Sequence, residues 1–509
     1  MKKMSFFLLL LLISAGLRAQ NLDKLDQYIS KVQKDWKVPG LSVGIVKDGK
    51  LVFAKGYGVL EKGKSEPTNE HTLYAIASNT KAFTSAAIAR LVDEGKLNWH
   101  DHVVDYLPWF KLHDPWITAH LTIEDLLCHR VGFRTFSGDL LWNSTTYSRR
   151  DIVERARYLE PSYDFRAGFG YSNIMFITAG EVIEAVTGQS WEQYITEQFL
   201  KPLGMNESVL STTQLPGKKN VASPHAPENG EYKAIPWENW DNMGPAGAII
   251  TSVSDMSKWL TMQLAGGTVN DHTYFTKKQQ DFMWEAHNPL TVSQGYKDAY
   301  PSTHYRAAGL GWFTFDYKGV KVVNHGGGYI GMLSQVAMVP EKNLGILIFT
   351  NGLEGVSGPI MYRILDTYLG GDMPDRSAQG LERKEKWEAS KKADKEAFDK
   401  ATIQGTQPSL ALENYAGTYS GDLYGDATIE VKDGKLNLQM VPTPAFHAVL
   451  KHRHFDTFLV QFPDFPYLPE GTVNFVLNAA GEVEEMRIFI PNDDFWFEEL
   501  KFVKQKKKE

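Results

Sequence analysis

The chain has 509 residues, a formal charge of −7, 43% apolar and 12% aromatic side chains. That length allows more than one domain with a large core, and the acidic balance argues against nucleic acid as a partner. Cys128 is the single cysteine, so an internal disulfide is excluded and stability must come from core burial.

Residues 1–19 read as a secretory signal peptide. Lys2 and Lys3 start it, Phe6 to Ile13 form the apolar run, and Gly16-Leu17-Arg18-Ala19 precede a cut before Gln20. The apolar run is eight residues long, far short of the roughly 20 that cross a bilayer. No integral membrane segment is therefore expected after cleavage, and the mature protein is expected to be secreted or periplasmic. No cysteine lies at the cut, which excludes a lipid-modified N-terminal cysteine. Losing Lys2, Lys3 and Arg18 takes the formal charge from −7 to −10.

Leu22, Leu25, Ile29, Val32 and Trp36 recur at helical spacing, and Pro39-Gly40 ends that helix. Leu41 to Val46 and Leu51 to Tyr57 read as a hairpin around Lys47-Asp48-Gly49-Lys50. Residues 78 to 94 read as a buried helix, with Ser78 and Lys81 one turn apart on one face. A serine hydroxyl is a poor nucleophile without an adjacent base. A lysine becomes that base only where burial or a nearby cation lowers its pKa. His100-Asp101-His102 invites a zinc reading, but no further ligands lie close by, so it reads as a solvated turn. Helices follow at 122–127, 151–159 and 174–187, with an aromatic loop at 161–170. Cys128 lies in an apolar setting and reads as a buried structural thiol.

Residues 205 to 250 are rich in Pro, Asn and Gly. Trp237, Trp240 and Pro245-Ala246-Gly247-Ala248 mark an ordered, cleft-lining loop. Thr251 to Asp255 cap a helix through Leu264. Strands at 311–316, 320–324, 332–339 and 344–350 suit an antiparallel meander, and 357–369 is a further helix. Residues 22–375 thus read as an α/β (α+β) domain: a mostly antiparallel sheet flanked by helices, with an all-helical subdomain. Residues 376–407 read as a charged helical linker whose mixed signs mark a solvated face. Residues 408–505 carry about eight short alternating strands, a small all-β barrel. Lys504 to Lys508 read as a frayed, solvated end.

Two stretches complete the chemistry that Ser78 and Lys81 begin. Tyr171 and Asn173 stand two residues apart. The phenol can pass protons, and the amide can hold Lys81 or a substrate amide. Asn324-His325-Gly326-Gly327-Gly328 ends a strand, and glycines there mean that something approaches the backbone closely. The Gly328 N–H can pair with that of Ser78 as an oxyanion hole. Gly40-Leu41-Ser42-Val43-Gly44 offers a second serine in a nucleophile-elbow pattern. That pattern needs a strand before and a helix after; here Pro39 precedes and a strand follows, so Ser42 reads as a strand residue.

Ser78-x-x-Lys81, Tyr171-x-Asn173 and His325-x-Gly327 resemble the three motifs of the penicillin-recognising serine hydrolases, each occurring once and in the family's order. The branch they most resemble holds class C β-lactamases, D-alanyl-D-alanine carboxypeptidases, D-aminopeptidases and esterases. Asp125 to His129 with Gly132, Pro202 to Met205, and Gly244 to Gly247 also look like the family. The resemblance covers about residues 22 to 370. It implies that Ser78 forms an acyl-enzyme, with Lys81 and Tyr171 as general base and proton shuttle. It implies substrate or oxyanion contacts from Asn173, His325, Gly327 and Gly328, and no metal or organic cofactor. The C-terminal strands resemble the lipocalin-like modules appended to some members. Many β-lactamases have lysine at the His325 position, where it binds a substrate carboxylate, whereas histidine is largely neutral near pH 7. The expected substrates are therefore peptides with D-amino acids, or small esters and amides. A β-lactamase is the alternative, and an inactive penicillin-binding sensor is another.

Overall fold

The computed structural model describes residues 22–228 and 230–506. The expected leader, residues 1–19, lies outside these, as does the last part of the lysine-rich end. Residues 22–35 form helix α1. The hairpin β1 (Gly40–Lys47) and β2 (Lys50–Gly58) turns at Asp48 and Gly49, whose φ angles are 52° and 74°. Two successive left-handed residues match the right-handed twist of the flanking strands. Six further strands complete the sheet: β3 (Asn288–Leu290), β4 (Arg306–Ala308), β5 (Phe313–Tyr317), β6 (Val320–Tyr329), β7 (Met332–Val339) and β8 (Leu344–Thr350). All pairs are antiparallel, in the order β2-β1-β8-β7-β6-β5-β4-β3.

The named helices are α2 (Lys81–Asp93), α3 (Asn173–Thr187), α4 (Val253–Leu264), α5 (Ser357–Leu369) and α6 (Arg376–Lys400). Strand β8 is buried along its whole length, so it reads as a continuous apolar run. Its side chains still divide by period two. Ile346 and Ile348 join Leu25, Ile29 and Val32 of α1 and Ile360 and Ile364 of α5. Leu347 and Phe349 join Val253, Met256 and Leu260 of α4 and the helical subdomain. Each such side chain contributes about 1.5–3 kcal/mol of burial. Helix α4 crosses close to the sheet: a Cβ on Gly44 would lie 2.4 Å from the Val253 side chain.

Several boundaries differ from the sequence reading, each for a local reason. The helix expected from residue 78 starts as a 3₁₀ turn, Ala77–Thr80, and becomes α-helical only at Lys81. The strand expected from 311 begins at Phe313, because Gly311 is left-handed at φ +72° and packs against the Lys81 carbonyl. The strand expected to stop at 324 runs to Tyr329, held by its register with β7. Residues 205–250 contain a hairpin, His225–Glu228 with Glu231–Ala234.

The C-terminal module has nine strands where about eight were expected: β9 (Gly417–Gly421), β10 (Gly425–Lys432), β11 (Lys435–Met440), β12 (His447–Val449), β13 (Lys451–His454), β14 (Thr457–Val460), β15 (Gly471–Leu477), β16 (Val483–Phe489) and β17 (Phe502–Lys504). Their order is β12-β11-β10-β9-β17-β16-β15-β14-β13, and the two ends of that order are consecutive in the chain, so the barrel is nearly closed. Tyr415, Tyr419, Phe458 and Phe475 fill its interior. Lys504 ends the last strand rather than opening a frayed tail. Helix α6 joins the two modules. Arg376 at its start pairs with buried Asp366 at 2.6 Å, and the Trp36 indole N–H donates to Ser377 at 2.8 Å. Near its end, the Arg453 guanidinium of the barrel lies 3.6 Å over the Phe398 ring. No helix among the described residues is long and apolar enough to cross a membrane.

Candidate active site

The Ser78 turn is held from two sides. The Ile76 N–H donates to the Ile249 carbonyl at 3.0 Å, and the Ser334 hydroxyl of β7 donates to the Ile76 carbonyl at 2.7 Å. Between these anchors Ala77 sits at φ +44°, a conformation a residue with a Cβ keeps only where its surroundings impose it. Ser78 therefore lies in the first turn of a 3₁₀ helix, whose leading N–H groups have no acceptor within the helix. Residues i and i+3 eclipse in such a helix, and Lys81 Nζ stands 3.2 Å from Ser78 Oγ.

Lys81 is fully buried. Burial pulls its pKa from 10.5 down to about 7, against the opposing influence of the Asp139 carboxylate. Its Nζ donates to Asn173 Oδ1 at 2.7 Å and to the Ala246 carbonyl at 2.9 Å. A neutral amine has two hydrogens and one lone pair. The two acceptors take both hydrogens, which leaves the lone pair for the Ser78 hydroxyl. The Asn173 amide cannot flip, because its Nδ2 donates to Asp139 Oδ2 at 2.7 Å. Burial pushes the Asp139 carboxyl up to about 8.

Tyr171 and Asn173 come from the entry to α3. The Tyr171 ring stacks on His129 at 4.2 Å, and Lys81 Nζ lies 4.8 Å from its centre. His129, at φ +61°, accepts the Ser172 N–H through Nδ1 at 3.1 Å. The turn that carries it is held by fully buried Asp125, which accepts from Arg130 at 2.5 Å and from Arg166 at 2.9 Å. The Tyr171 hydroxyl is buried and without a hydrogen-bond partner among the described residues. Burial raises its pKa well above 10, with the nearby Ser78 hydroxyl working against the rise.

Strand β6 closes the site. Its pairing with β5 ends at Asn324 opposite Phe313, while its pairing with β7 continues to Tyr329. Residues 325–329 thus keep one free edge. A Cβ on Gly327 would fall 2.1 Å from the Ile76 carbonyl oxygen, so only glycine lets this strand lie against the Ser78 turn. Gly328 is exposed, and its nearest neighbour in that direction is 3.8 Å away. His325 is buried. Its Nδ1 stands 2.5 Å from the Gly326 carbonyl, which can only accept, so Nδ1 carries the hydrogen and Nε2 is left as a bare acceptor. That Nε2 is buried with no partner among the described residues. Burial first, and then the charge of Lys81, bring the ring's pKa down to about 3.

Ser78, Lys81 and Asn173 are thus joined directly. Tyr171 and His325 pack beside them, with ring centres 6.1 Å apart, and Gly327 and Gly328 form the open strand. Asp139, His129 and the Ala246 carbonyl were not singled out as site groups from sequence. Asp139 has one signal in the sequence, an acid directly before the apolar run Leu140-Leu141-Trp142. Ser42 lies buried in β1, its hydroxyl donating to the Asn69 carbonyl at 2.8 Å. Burial pushes the Cys128 thiol up, out of the reactive range.

A family model described as Beta-lactamase matches residues 25–366. The chain belongs to the beta-lactamase family. These are serine hydrolases of one fold, and the three motifs of the site fall inside the matched span. A second model, described as Domain of unknown function (DUF3471), matches residues 401–504, the barrel of this beta-lactamase family member. Among relatives, the unguisins hydrolase ungD' of Aspergillus campestris (strain IBT 28561) is 31% identical over 436 residues, 80% of this chain and 78% of that one. Protein flp of Staphylococcus aureus (strain MW2) is 31% identical over 333 residues, 64% of this chain and 62% of that one. The octameric penicillin-binding protein homologue from Pyrococcus abyssi shares the fold, with a TM-score of 0.63 at 21% identity, over 95% of this chain and 100% of that one. SurE shares it with a TM-score of 0.55 at 18% identity, over 96% of this chain and all of the other.

Proposed function

We infer that the protein hydrolyses amide or ester bonds through an acyl-enzyme on Ser78. The observation that carries this reading is the buried Lys81 amine, near-neutral in pKa, with both hydrogens engaged and its lone pair left for Ser78 Oγ. In acylation Ser78 Oγ attacks the substrate carbonyl carbon while its proton passes to Lys81 Nζ. The developing oxyanion is held by the Ser78 and Gly328 N–H groups. Tyr171 is a neutral phenol at pH 7. It gives its proton to the leaving group and regains one from Lys81, so the proton count closes. Water then reverses the sequence and frees the acyl group.

The substrate edge favours peptides with D-amino acids, or small esters and amides. His325 meets the substrate as a neutral acceptor and so suits an N–H or O–H donor rather than a carboxylate. The similarity to a protein named for hydrolysing unguisins supports hydrolysis as the reaction. The leader expected from residues 1–19 suits a secreted or periplasmic enzyme. The test is labelling with a fluorophosphonate, mass mapping of the modified residue, and parallel turnover of D-amino-acid peptides, short acyl esters and nitrocefin. Label on Ser78 with peptide or ester turnover is expected. Label on Ser42, no label at all, or fast nitrocefin turnover with poor peptide and ester cleavage overturns the reading.

A further inference from the structure

The segment between β16 and β17 leaves the barrel and lies against residues 134–138, the loop that precedes Asp139. Glu499 reaches this loop with both oxygens: Oε1 accepts from the Ser137 hydroxyl at 2.6 Å and Oε2 from the Gly138 N–H at 2.8 Å. The Trp496 indole N–H donates to the Thr135 carbonyl at 2.7 Å, and the Arg134 guanidinium lies 3.4 Å over the Trp496 ring. Arg134 also pairs with Glu498 at 3.1 Å.

The opposite side of the same loop holds the catalytic groups. Thr135 Oγ1 accepts the Tyr171 N–H at 3.1 Å, and the Phe136 N–H donates to the Tyr171 carbonyl at 2.8 Å. Asp139, directly after Gly138, fixes the Asn173 amide that in turn fixes Lys81. The shape of the loop is one that its surroundings must impose. Phe136 sits at φ +64°, a left-handed conformation that a bulky side chain keeps only when its surroundings over-determine it.

We propose that Glu499 and Trp496 of the C-terminal barrel are positioning residues for the hydrolase site, and that the Lys81-Asn173-Asp139 relay is set to working geometry only when the barrel is docked. The proposal rests on the acyl-enzyme reading above. Glu499 fixes the start of the Asp139 turn, and Trp496 fixes the residue that carries the Tyr171 backbone. Glu499 also acts through charge, because its carboxylate is among the groups that raise the Asp139 pKa. The ionisable groups packed around Lys81 and Asp139 are His129, His325, Tyr171 and Glu499, with Arg134 and Glu498 beside Glu499. Removing the Glu499 charge lets Asp139 ionise at lower pH. An ionised Asp139 raises the Lys81 pKa, so the pH midpoint of acylation moves up.

The test uses the full chain and four variants: Glu499→Ala, Glu499→Gln, Trp496→Phe and Lys501→Ala. Lys501 pairs with Glu160 at 2.7 Å across the same interface but touches none of residues 134–138. The readouts are the fluorophosphonate acylation rate, kcat and KM for p-nitrophenyl acetate across pH, and hydrogen exchange of peptides covering 134–141 and 171–175. Glu499→Ala is expected to slow acylation at least about tenfold with little change in KM, and to raise exchange in both peptides. Glu499→Gln can donate to Ser137 and accept from Gly138. It is expected to recover most of the plateau rate while keeping the upward pH shift. Trp496→Phe loses the bond to Thr135 and is expected to slow acylation less. Lys501→Ala is expected to match wild type. Wild-type rates and exchange in folded Glu499→Ala overturn the proposal, and equal loss in Lys501→Ala overturns the positioning role given to Glu499 and Trp496. If Glu499→Ala does not fold, wild-type midpoint and rate in Glu499→Gln together with wild-type exchange in Trp496→Phe overturn it. An unlabelled wild type would instead sink the acyl-enzyme reading, and the exchange data would still decide whether the barrel orders the loop.

Discussion

Replacing Lys81 by methionine separates the electrostatics of the site from its packing. The variant keeps an unbranched side chain one atom shorter and removes the ionisable group. In the wild type the amine titrates near pH 7 in the fold, against 10.5 in the unfolded chain. That difference corresponds to about 5 kcal/mol. Between those two values the unfolded chain binds a proton that the folded protein does not. Wild-type stability therefore rises with pH by about 1.4 kcal/mol per unit. The contribution is complete above 10.5 and is lost as the pH falls through 7. Asp139 acts in the opposite sense, since its folded value of about 8 lies above its unfolded 3.8. It is present in both proteins, and without Lys81 its carboxyl is pushed higher still. That only steepens the loss of stability in the variant as pH rises. At pH 7 the methionine strands the Asn173 and Ala246 acceptors, at about 1–3 kcal/mol each. This roughly offsets the relief of the buried amine, so the two proteins are expected to be close there. Urea unfolding followed by tryptophan fluorescence from pH 6 to 9 measures the gap. It is expected to widen in favour of wild type by about 2–3 kcal/mol between pH 7 and 9. A gap that stays flat across that range refutes the near-neutral lysine, even if the variant has lost all acylation.

Three further outcomes follow from the same geometry. Acylation of wild type by a fluorophosphonate is expected to rise through about pH 7, as Lys81 loses its proton, with no decline before the alkaline range because the Tyr171 phenol is held above its ordinary value; stopped-flow rates across pH check this. Tyr171→Phe removes a hydroxyl without a hydrogen-bond partner among the described residues, so its melting temperature is expected to hold while the burst rate with p-nitrophenyl acetate falls by about 10²-fold or more. Gly327→Ala drives a methyl group to 2.1 Å from the Ile76 carbonyl; it is expected to destabilise the protein by about 1–3 kcal/mol and to slow labelling of Ser78, measured by thermal melts and timed mass spectrometry.

The parts legible in the sequence are those with a local cause. The Asp48-Gly49 turn, the heptad-like spacing of Leu25, Ile29 and Val32, and the apolar run of β8 each state their element outright. The Ser78 and Lys81 pair is legible because three residues span a helical turn in either helix type, so the 3₁₀ start changed the element boundary without changing the contact. Asp139 is different. Its role depends on a loop closing back on α3, and nothing within a few residues of it encodes that approach. Strands β3 and β4 escape the sequence reading because Asn288-Pro289-Leu290 and Arg306-Ala307-Ala308 lack alternation; β4 takes its register from β5, and β3 from β4. Residues 325–329 read in the sequence as the end of a strand because glycines carry no β propensity; the continuing ladder to β7 keeps them extended.

Helix α6 turns the barrel's position into a matter of phase. It is clamped at Arg376 and again at Phe398, and its 25 residues at 1.5 Å each span about 37 Å. A barrel on such a rod cannot diffuse away, so its rebinding is unimolecular and a weak interface keeps it seated. The rod also fixes which side of the barrel faces the cleft. One residue inserted into α6 would turn everything beyond it by about 100°, carrying the segment with Trp496 and Glu499 off its loop without changing a single residue of the site itself.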